Sequence, residues 1–416
     1  MGNNGPLAGV KILDLTRVLS GPLATAWLSD MGAEVIKLEQ PGVGEQIRVA
    51  EPIINGESAY FATLNRNKRT ITLDLKNEKG KEIFLRLVQD VDVVTENFRP
   101  DVMERLGLGY ERLRSVNPRI VLASLSGYGS NSPYADRAAY DTISQGMGGI
   151  MSITGFPDAP PTKCGPSIGD VSAGMNLVIG VLAALYHARE TGEGQHVEVA
   201  LVDSVLALCT QDFIEYGVRG HVPGRTGNHY RNWCPYGTYK AKDGYNQLGV
   251  GTDRHYRDLC VRVLYRPDMP EDERYATQPQ RVRHRSEVEA VLNEWAAERT
   301  VQEVVAALNA ANVPASPVYD LGDVSRDEHF TVHRQMIRHM EHPVIGDIPY
   351  VNMPVRFSAT PLVEPRPSAA LGEHNQEVYR KHWPFKRRPH GTPQGRHNII
   401  FSGLCPECSR AYFPGK

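Results

Sequence analysis

The sequence predicts an α/β fold: a doubly wound, mostly parallel sheet in the first half, then a smaller α+β unit between about residues 225 and 325. Three observations carry this. Short aliphatic and β-branched runs alternate with helix-length segments through residue 203, the pattern of βαβ units. A long apolar helix, Asp170–Glu190, has Asp and Ser near its start and Thr191-Gly192 just past its end. After Gly217 the chain turns to connections rich in Gly, Pro and Asn.

In order, Val10-Lys-Ile-Leu-Asp-Leu reads as a buried strand, and Gly21-Pro22 opens a helix through Asp30. Glu34–Leu38 and Thr70–Leu75 are the second and third strands, followed by a helix from Glu78 to Gln89. Asp92–Thr95 is the fourth strand, Met103–Leu106 and Tyr110–Ser115 are short helices, and Ile120–Leu125 is the fifth strand. After the helix Asp170–Glu190 come a strand, His196–Leu201, and a helix, Asp203–Tyr216. Gly220–Gly244 reads as a long connection, Tyr245–Val250 as a strand, and Tyr256–Val263 and Val288–Asn309 as helices. Val313–Asp320 is extended, and Gly346–Pro365 is Pro-rich and irregular.

The composition suits a soluble globular chain. Of 416 residues, 41% are hydrophobic and 23% charged, and 46 Lys+Arg against 48 Asp+Glu leave a net charge of −2. This balance lacks the overall basic excess of a nucleic-acid binder, while leaving room for a local basic groove. The first ten residues lack the charged and apolar regions of a signal peptide, and Pro6 replaces the Ser or Thr of a myristoylation signal. The apolar run Leu177–Leu185 is shorter than the about 20 residues a bilayer span needs. A cytoplasmic protein without membrane or nucleic-acid partners is expected.

The Gly169-Asp-Val-Ser-Ala-Gly174 stretch precedes the apolar helix. Asp170 there can cap the helix, or stand as a carboxylate nucleophile beside backbone N–H groups able to hold an oxyanion. Spacing alone does not decide. Glu96-Asn-Phe-Arg-Pro100 follows a strand and precedes Arg105. It is either an ordinary βα loop or a ligand loop, with Arg99 and Arg105 facing phosphates and Phe98 stacking on a ring or acyl chain. Asn65-Arg-Asn-Lys-Arg69 reads as solvated surface or as an anion site.

Other chemistries lack their motifs. There is no Gly-x-Gly-x-x-Gly after the first strand, no phosphate loop ending in Gly-Lys-Ser/Thr, and no Gly-x-Ser-x-Gly elbow. The six cysteines are mostly far apart, and Cys405-x-x-Cys408 has no second half for a zinc site, so no metal is expected.

Together the segments Leu13–Gly44, Asn65–Lys76, Glu96–Tyr110, Ser124–Gly129, Ala139–Gln145, Gly169–Met175, Thr191–Val197, Pro235–Tyr239 with Asp243-Gly244, and Leu371-Gly-Glu-His-Asn resemble the family III CoA-transferases of CaiB/BaiF type. That family includes formyl-CoA transferase and carnitine CoA-transferase, with α-methylacyl-CoA racemase as a sister. The resemblance spans about residues 6–378. It implies a Rossmann-like large domain split by an inserted small domain, in an interlocked homodimer. The implied boundaries are 1–203 for the first part of the large domain, 204–224 for a linker and 225–325 for the small domain. Residues 326–381 return to the large domain, and 382–416 form an atypical tail.

The resemblance implies that Asp170 is the nucleophile, passing through an acyl anhydride and an aspartyl-CoA thioester. It further implies that Val18, Leu19, Leu73, Lys76, Asn97, Phe98, Arg105 and Tyr140 line the coenzyme A and substrate groove, to which Gln40 and the loop residue Arg99 are also assigned. Coenzyme A enters as a substrate, with no permanently bound cofactor. Tyr140 stands where the racemases carry a histidine, and a phenol with a reference pKa of about 10 is a poor base near neutrality. Three positions depart from formyl-CoA transferase: Leu19 replaces a glutamine, Gln40 replaces an arginine, and its glycine run has no counterpart around Gly224–Asn228. These disfavour oxalate and formate and favour a larger or less polar acid. The alternatives are an acyl-CoA racemase or epimerase, which would wash deuterium into the α-position without an acceptor acid, and a CoA-binding subunit without turnover.

Overall fold

Six short strands at the centre of the larger unit are all parallel, and their order sets where a ligand can enter. The structure, a computed structural model, describes residues 5–382. Cys405, Cys408 and the tail beyond residue 382 lie outside the described residues.

The strands are β1 (Lys11–Asp14), β2 (Glu34–Glu39), β3 (Arg69–Thr72), β4 (Val93–Glu96), β5 (Val121–Ser126) and β6 (His196–Ala200), arranged in the order β3-β2-β1-β4-β5-β6. Strand alternation divides their side chains between two cores. Leu13, Ile36, Ile71, Val94 and Leu122 face α3 (Glu78–Val88), α4 (Val102–Arg105) and α5 (Tyr110–Val116). Ile12, Val35, Val93, Val121 and Ala123 face α1 (Ser20–Asp30) and α7 (Ile168–Thr191). Helices on both faces make the sheet doubly wound, as the alternating pattern predicts.

The chain forms two compact units. Among the described residues, the first comprises 5–150, 164–210 and 335–382, and the second 151–163 and 211–334. The second holds an antiparallel sheet of β7 (Tyr236–Lys240), β8 (Tyr245–Gly249) and β9 (Ala315–Pro317), packed with helices such as Arg285–Ala297 and Val301–Ala310. Its buried Arg281 ties the core, donating to the carbonyls of Cys234 (3.0 Å) and Tyr275 (3.0 Å) and to Asp253 (2.6 Å).

Several elements differ from expectation. The connection 220–244 contains β7, because Gly237 interrupts an otherwise strand-like Tyr-Gly-Thr-Tyr-Lys. The helix expected over Val288–Asn309 is two, since Thr300 and Glu303 form a capping box that starts a new helix. The helix expected from Asp203 to Tyr216 is also two, α8 (Leu201–Leu208) and α9 (Thr210–Arg219), broken at Cys209. Within the irregular stretch, Gly346–Val351 pairs with Ile337–His342 as a hairpin that covers Ala59 and Ala62 of α2 (Ala59–Leu64).

At 24 residues, α7 outruns its apolar core and is long and apolar enough, by length and composition, to cross a bilayer. In this fold its Leu177, Val181 and Leu185 are buried against the sheet.

Candidate active site

In this strand order the connections run outward in opposite directions from β1 and β4, so the loops after those strands part to leave a crevice. They are the segments 15–19 and 97–100, and they clasp each other. The Arg17 N–H donates to Asn97 Oδ1 (2.8 Å), and Asn97 Nδ2 donates to the Arg17 carbonyl (2.8 Å). The Arg17 guanidinium lies 4.9 Å from the Phe98 ring centroid. Phe98 is fixed in turn by its N–H, which donates to Glu96 Oε2 (2.7 Å).

Between these anchors Val18 has φ +68°, a strained conformation for a β-branched residue. A buried charge network holds the loop in it. Thr16 donates through its N–H (2.8 Å) and hydroxyl (2.5 Å) to Asp14, while Lys37 Nζ donates to the Thr16 carbonyl (2.8 Å). Lys37 also pairs with Glu45, and Lys68 with Asp14 at 3.1 Å. Burial pushes Asp14 upward, but the Lys68 and Lys37 charges outweigh it and hold its carboxyl at about 2.

The Asn65–Arg69 cluster is therefore mostly neither solvated surface nor an anion site. Arg66 pairs with Asp30, Asn67 Nδ2 donates to Asp30 (3.1 Å), and Lys68 neutralises Asp14, with all three side chains buried. Their acidic partners lie far away in sequence, which is why a local charge count misses them.

Asp170 stands in the first turn of α7, facing the crevice. It is not a cap: the N-cap residue is Ser167, and no side chain caps this helix. The two glycines of its motif are required by close approach. A Cβ on Gly169 would sit 2.3 Å from Ser144 Oγ, and one on Gly174 would sit 2.7 Å from the Ser20 carbonyl oxygen. Helix α6 (Asp141–Met147) secures the same turn, with the Gly169 N–H donating to Asp141 Oδ1 (2.9 Å) and Gln145 Nε2 to Asp141 Oδ2 (2.8 Å). Burial and the Asp141 charge raise the Asp170 pKa to about 6, against a lowering hydrogen bond from Ser20. Burial, then the negative charges of Asp170 and Glu45, push the Tyr60 phenol upward, so Tyr60 lies within electrostatic reach of the carboxylate.

Two adjoining cavities occupy the crevice. One of about 430 Å³ is lined by Gln40, Leu73, Lys76, Phe98 and Arg99, together with Arg17. The other, of about 250 Å³, is lined by Val18, Ser20, Asn97, Tyr140 and Asp170. Arg17, Phe98 and Arg99 border both.

Eight of the ten expected groove residues thus line a cavity, as does Asp170. Leu19 and Arg105 line neither. Leu19 packs on Ile47, Phe61 and Leu64, and Arg105 is exposed and pairs with Asp101 at 3.0 Å. Sequence reasoning missed Arg17, Asp141, Tyr60 and Arg137, the last of which lines the cavity of Asp170. Arg17 and Asp141 adjoin expected residues, whereas a single Tyr in an apolar helix carries no spacing signal. Among the described residues, no group of three or more His, Cys, Asp or Glu side chains could hold a metal ion.

Known proteins share the sequence pattern and fold of this chain. The family model of CoA-transferase family III matches residues 7–375. The chain is 39% identical over 380 residues to the succinate–glutarate CoA-transferase of Agrobacterium fabrum, covering 90% of this chain and 94% of that protein. It is 37% identical over 376 residues to the succinyl-CoA–D-citramalate CoA-transferase of Chloroflexus aurantiacus, covering 90% and 93%. Among solved structures, a CaiB/BaiF family protein from Brucella suis superposes with a TM-score of 0.80 at 36% identity, covering 91% of this chain and 99% of that one.

Proposed function

The chain belongs to CoA-transferase family III, and from that premise we propose that it moves coenzyme A between carboxylic acids through Asp170. The observation that carries the reading is the cavity pair. A carboxylate nucleophile lines one cavity, and the adjoining one offers Lys76, Arg99 and Arg17 to an anionic nucleotide.

The Asp170 carboxylate attacks the thioester carbonyl, and the carbon–sulfur bond breaks to give a mixed anhydride and CoA thiolate. The thiolate attacks the aspartyl carbonyl, releasing the donor acid as its carboxylate and leaving an aspartyl-CoA thioester. The acceptor carboxylate then attacks that carbonyl and expels the thiolate. Finally the thiolate takes the acyl group from the new anhydride and regenerates Asp170. Each step exchanges one activated acyl bond for another, so water must be kept out. The fixed loop at Thr16–Ser20 and the N-terminus of α1 supply backbone dipoles beside the developing oxyanion. Coenzyme A is a substrate in this scheme, and no resident cofactor is needed.

The acids named for the two relatives, succinate, glutarate and citramalate, are dicarboxylic, and such acids are the first candidates here. A large domain split by an inserted small one, a cytoplasmic location and a homodimer complete the reading. Bare apolar stripes on two helices support the homodimer: Met175, Ile179 and Tyr186 on α7, and Phe213, Ile214 and Val218 on α9.

The test is to incubate the protein with acyl-CoA and hydroxylamine and to map the product by mass spectrometry. The expected result is inactivation with a hydroxamate at Asp170, and an Asp170→Ala variant at least about 1,000-fold slower, the scale of losing a nucleophile. Full activity in Asp170→Ala would refute the reading.

A further inference from the structure

The cavity around Asp170 is lined by three arginines, Arg17, Arg99 and Arg137, and among the described residues none has a carboxylate partner. Arg17 and Arg99 also border the adjoining cavity, where an elongated anionic substrate would pass from one to the other. Arg137 lines only the cavity of Asp170.

Its loop, between β5 and α6, is tied down. The Gly129 N–H donates to Ser126 Oγ (3.0 Å), Ser130 Oγ donates to Glu198 Oε2 (2.9 Å), and the Arg137 N–H donates to the Tyr134 carbonyl (2.9 Å). The Arg137 guanidinium rests on the Tyr134 ring, 4.3 Å from its centroid, and that ring packs tilted on Tyr128 at 5.8 Å. A guanidinium held by its face keeps its edge N–H groups free to fork onto a carboxylate.

We infer that Arg137 is a specificity residue that binds the distal carboxylate of a short dicarboxylic acid while the other carboxylate reacts at Asp170. This deepens the CoA-transfer reading and rests on it. The chemistry favours an acid over a CoA phosphate at Arg137, because the cations that border both cavities are Arg17 and Arg99. At about 250 Å³ the cavity suits a short diacid better than a long acyl chain.

The experiment compares succinate and glutarate with butyrate and valerate as acceptors, using full-length wild type, Arg137→Leu and Arg137→Lys, with the new thioester quantified by mass spectrometry. Wild type is expected to prefer the diacids. In Arg137→Leu the ratio of kcat/KM for diacid over monoacid falls about 10- to 100-fold, the scale of one hydrogen-bonded charge pair, and the loss appears in acceptor KM. Arg137→Lys recovers part of it. Equal losses on both acid classes, a wild-type preference for monoacids, or a loss confined to donor acyl-CoA KM would each overturn the assignment. Hydroxylamine trapping separates the two failures. A wild type that forms the hydroxamate but does not discriminate diacids overturns only the role of Arg137, whereas one that forms none overturns CoA transfer as well.

Discussion

Burial of Asp170 disfavours its charged form, the Asp141 carboxylate disfavours it further, and the Ser20 hydroxyl offsets part of the effect, leaving a pKa of about 6. The nucleophile must be ionised, so kcat/KM with acyl-CoA is expected to be flat above neutrality and to fall tenfold per unit below about pH 6. Asp141→Asn removes a negative neighbour and makes ionisation easier, so the acid limb of the profile moves to lower pH. A limb that stays in place would show that Asp141 acts through its grip on Gly169 alone. The residues themselves were unevenly legible. Asp170 was ambiguous between cap and nucleophile on spacing and became specific only through the family resemblance. Arg66 and Lys68 were misread because Asp30 and Asp14, which neutralise them, are distant in sequence. Tyr60 was invisible because what marks it is proximity to Asp170, which only the folded chain creates.

At the scale of elements, the parallel strands were legible because each is a short aliphatic run between helix-length segments, and all six form in the expected places. What failed were strands containing Gly or Pro, such as Tyr236–Lys240 and Gly346–Val351, whose pairing depends on partners that no local pattern reveals. The Leu371–Asn375 motif also gains a physical role. It closes the free edge of β3: His374 Nδ1 accepts from the Thr70 N–H (3.2 Å), Asn375 Oδ1 accepts from the Thr72 N–H (2.8 Å), and the Tyr379 hydroxyl donates to the Thr72 carbonyl (2.8 Å). An edge strand left open is a template for aggregation. Asn375→Ala leaves the partly buried Thr72 N–H without its acceptor, which costs about 1–3 kcal/mol. The expected outcome is a lower thermal midpoint, with earlier light scattering on heating. An unchanged midpoint and scattering onset would show that the edge tolerates being open.

At the scale of the molecule, the helix α9 poses the remaining question. It buries none of its residues. On its polar side Asp212 meets Arg231 at 3.4 Å and Glu215 meets Arg219 at 3.6 Å, while Phe213, Ile214 and Val218 are 59%, 57% and 79% exposed. An amphipathic helix with its apolar side open to water gains little stability from apolar burial within the chain, and an exposed apolar patch of this kind marks an interaction surface. On the homodimer proposed above, a second copy of the chain is the expected cover for this side of α9, and α7, which carries Asp170, brings a bare apolar stripe of its own. Two 46.2-kDa chains then sediment together as a single species. The double variant Phe213→Glu, Ile214→Lys places two charges in that contact, and it is expected to sediment as monomer or aggregate and to lose CoA-transfer activity. Wild type sedimenting as one chain at micromolar concentration, with full activity, would mean that neither stripe is a contact between copies.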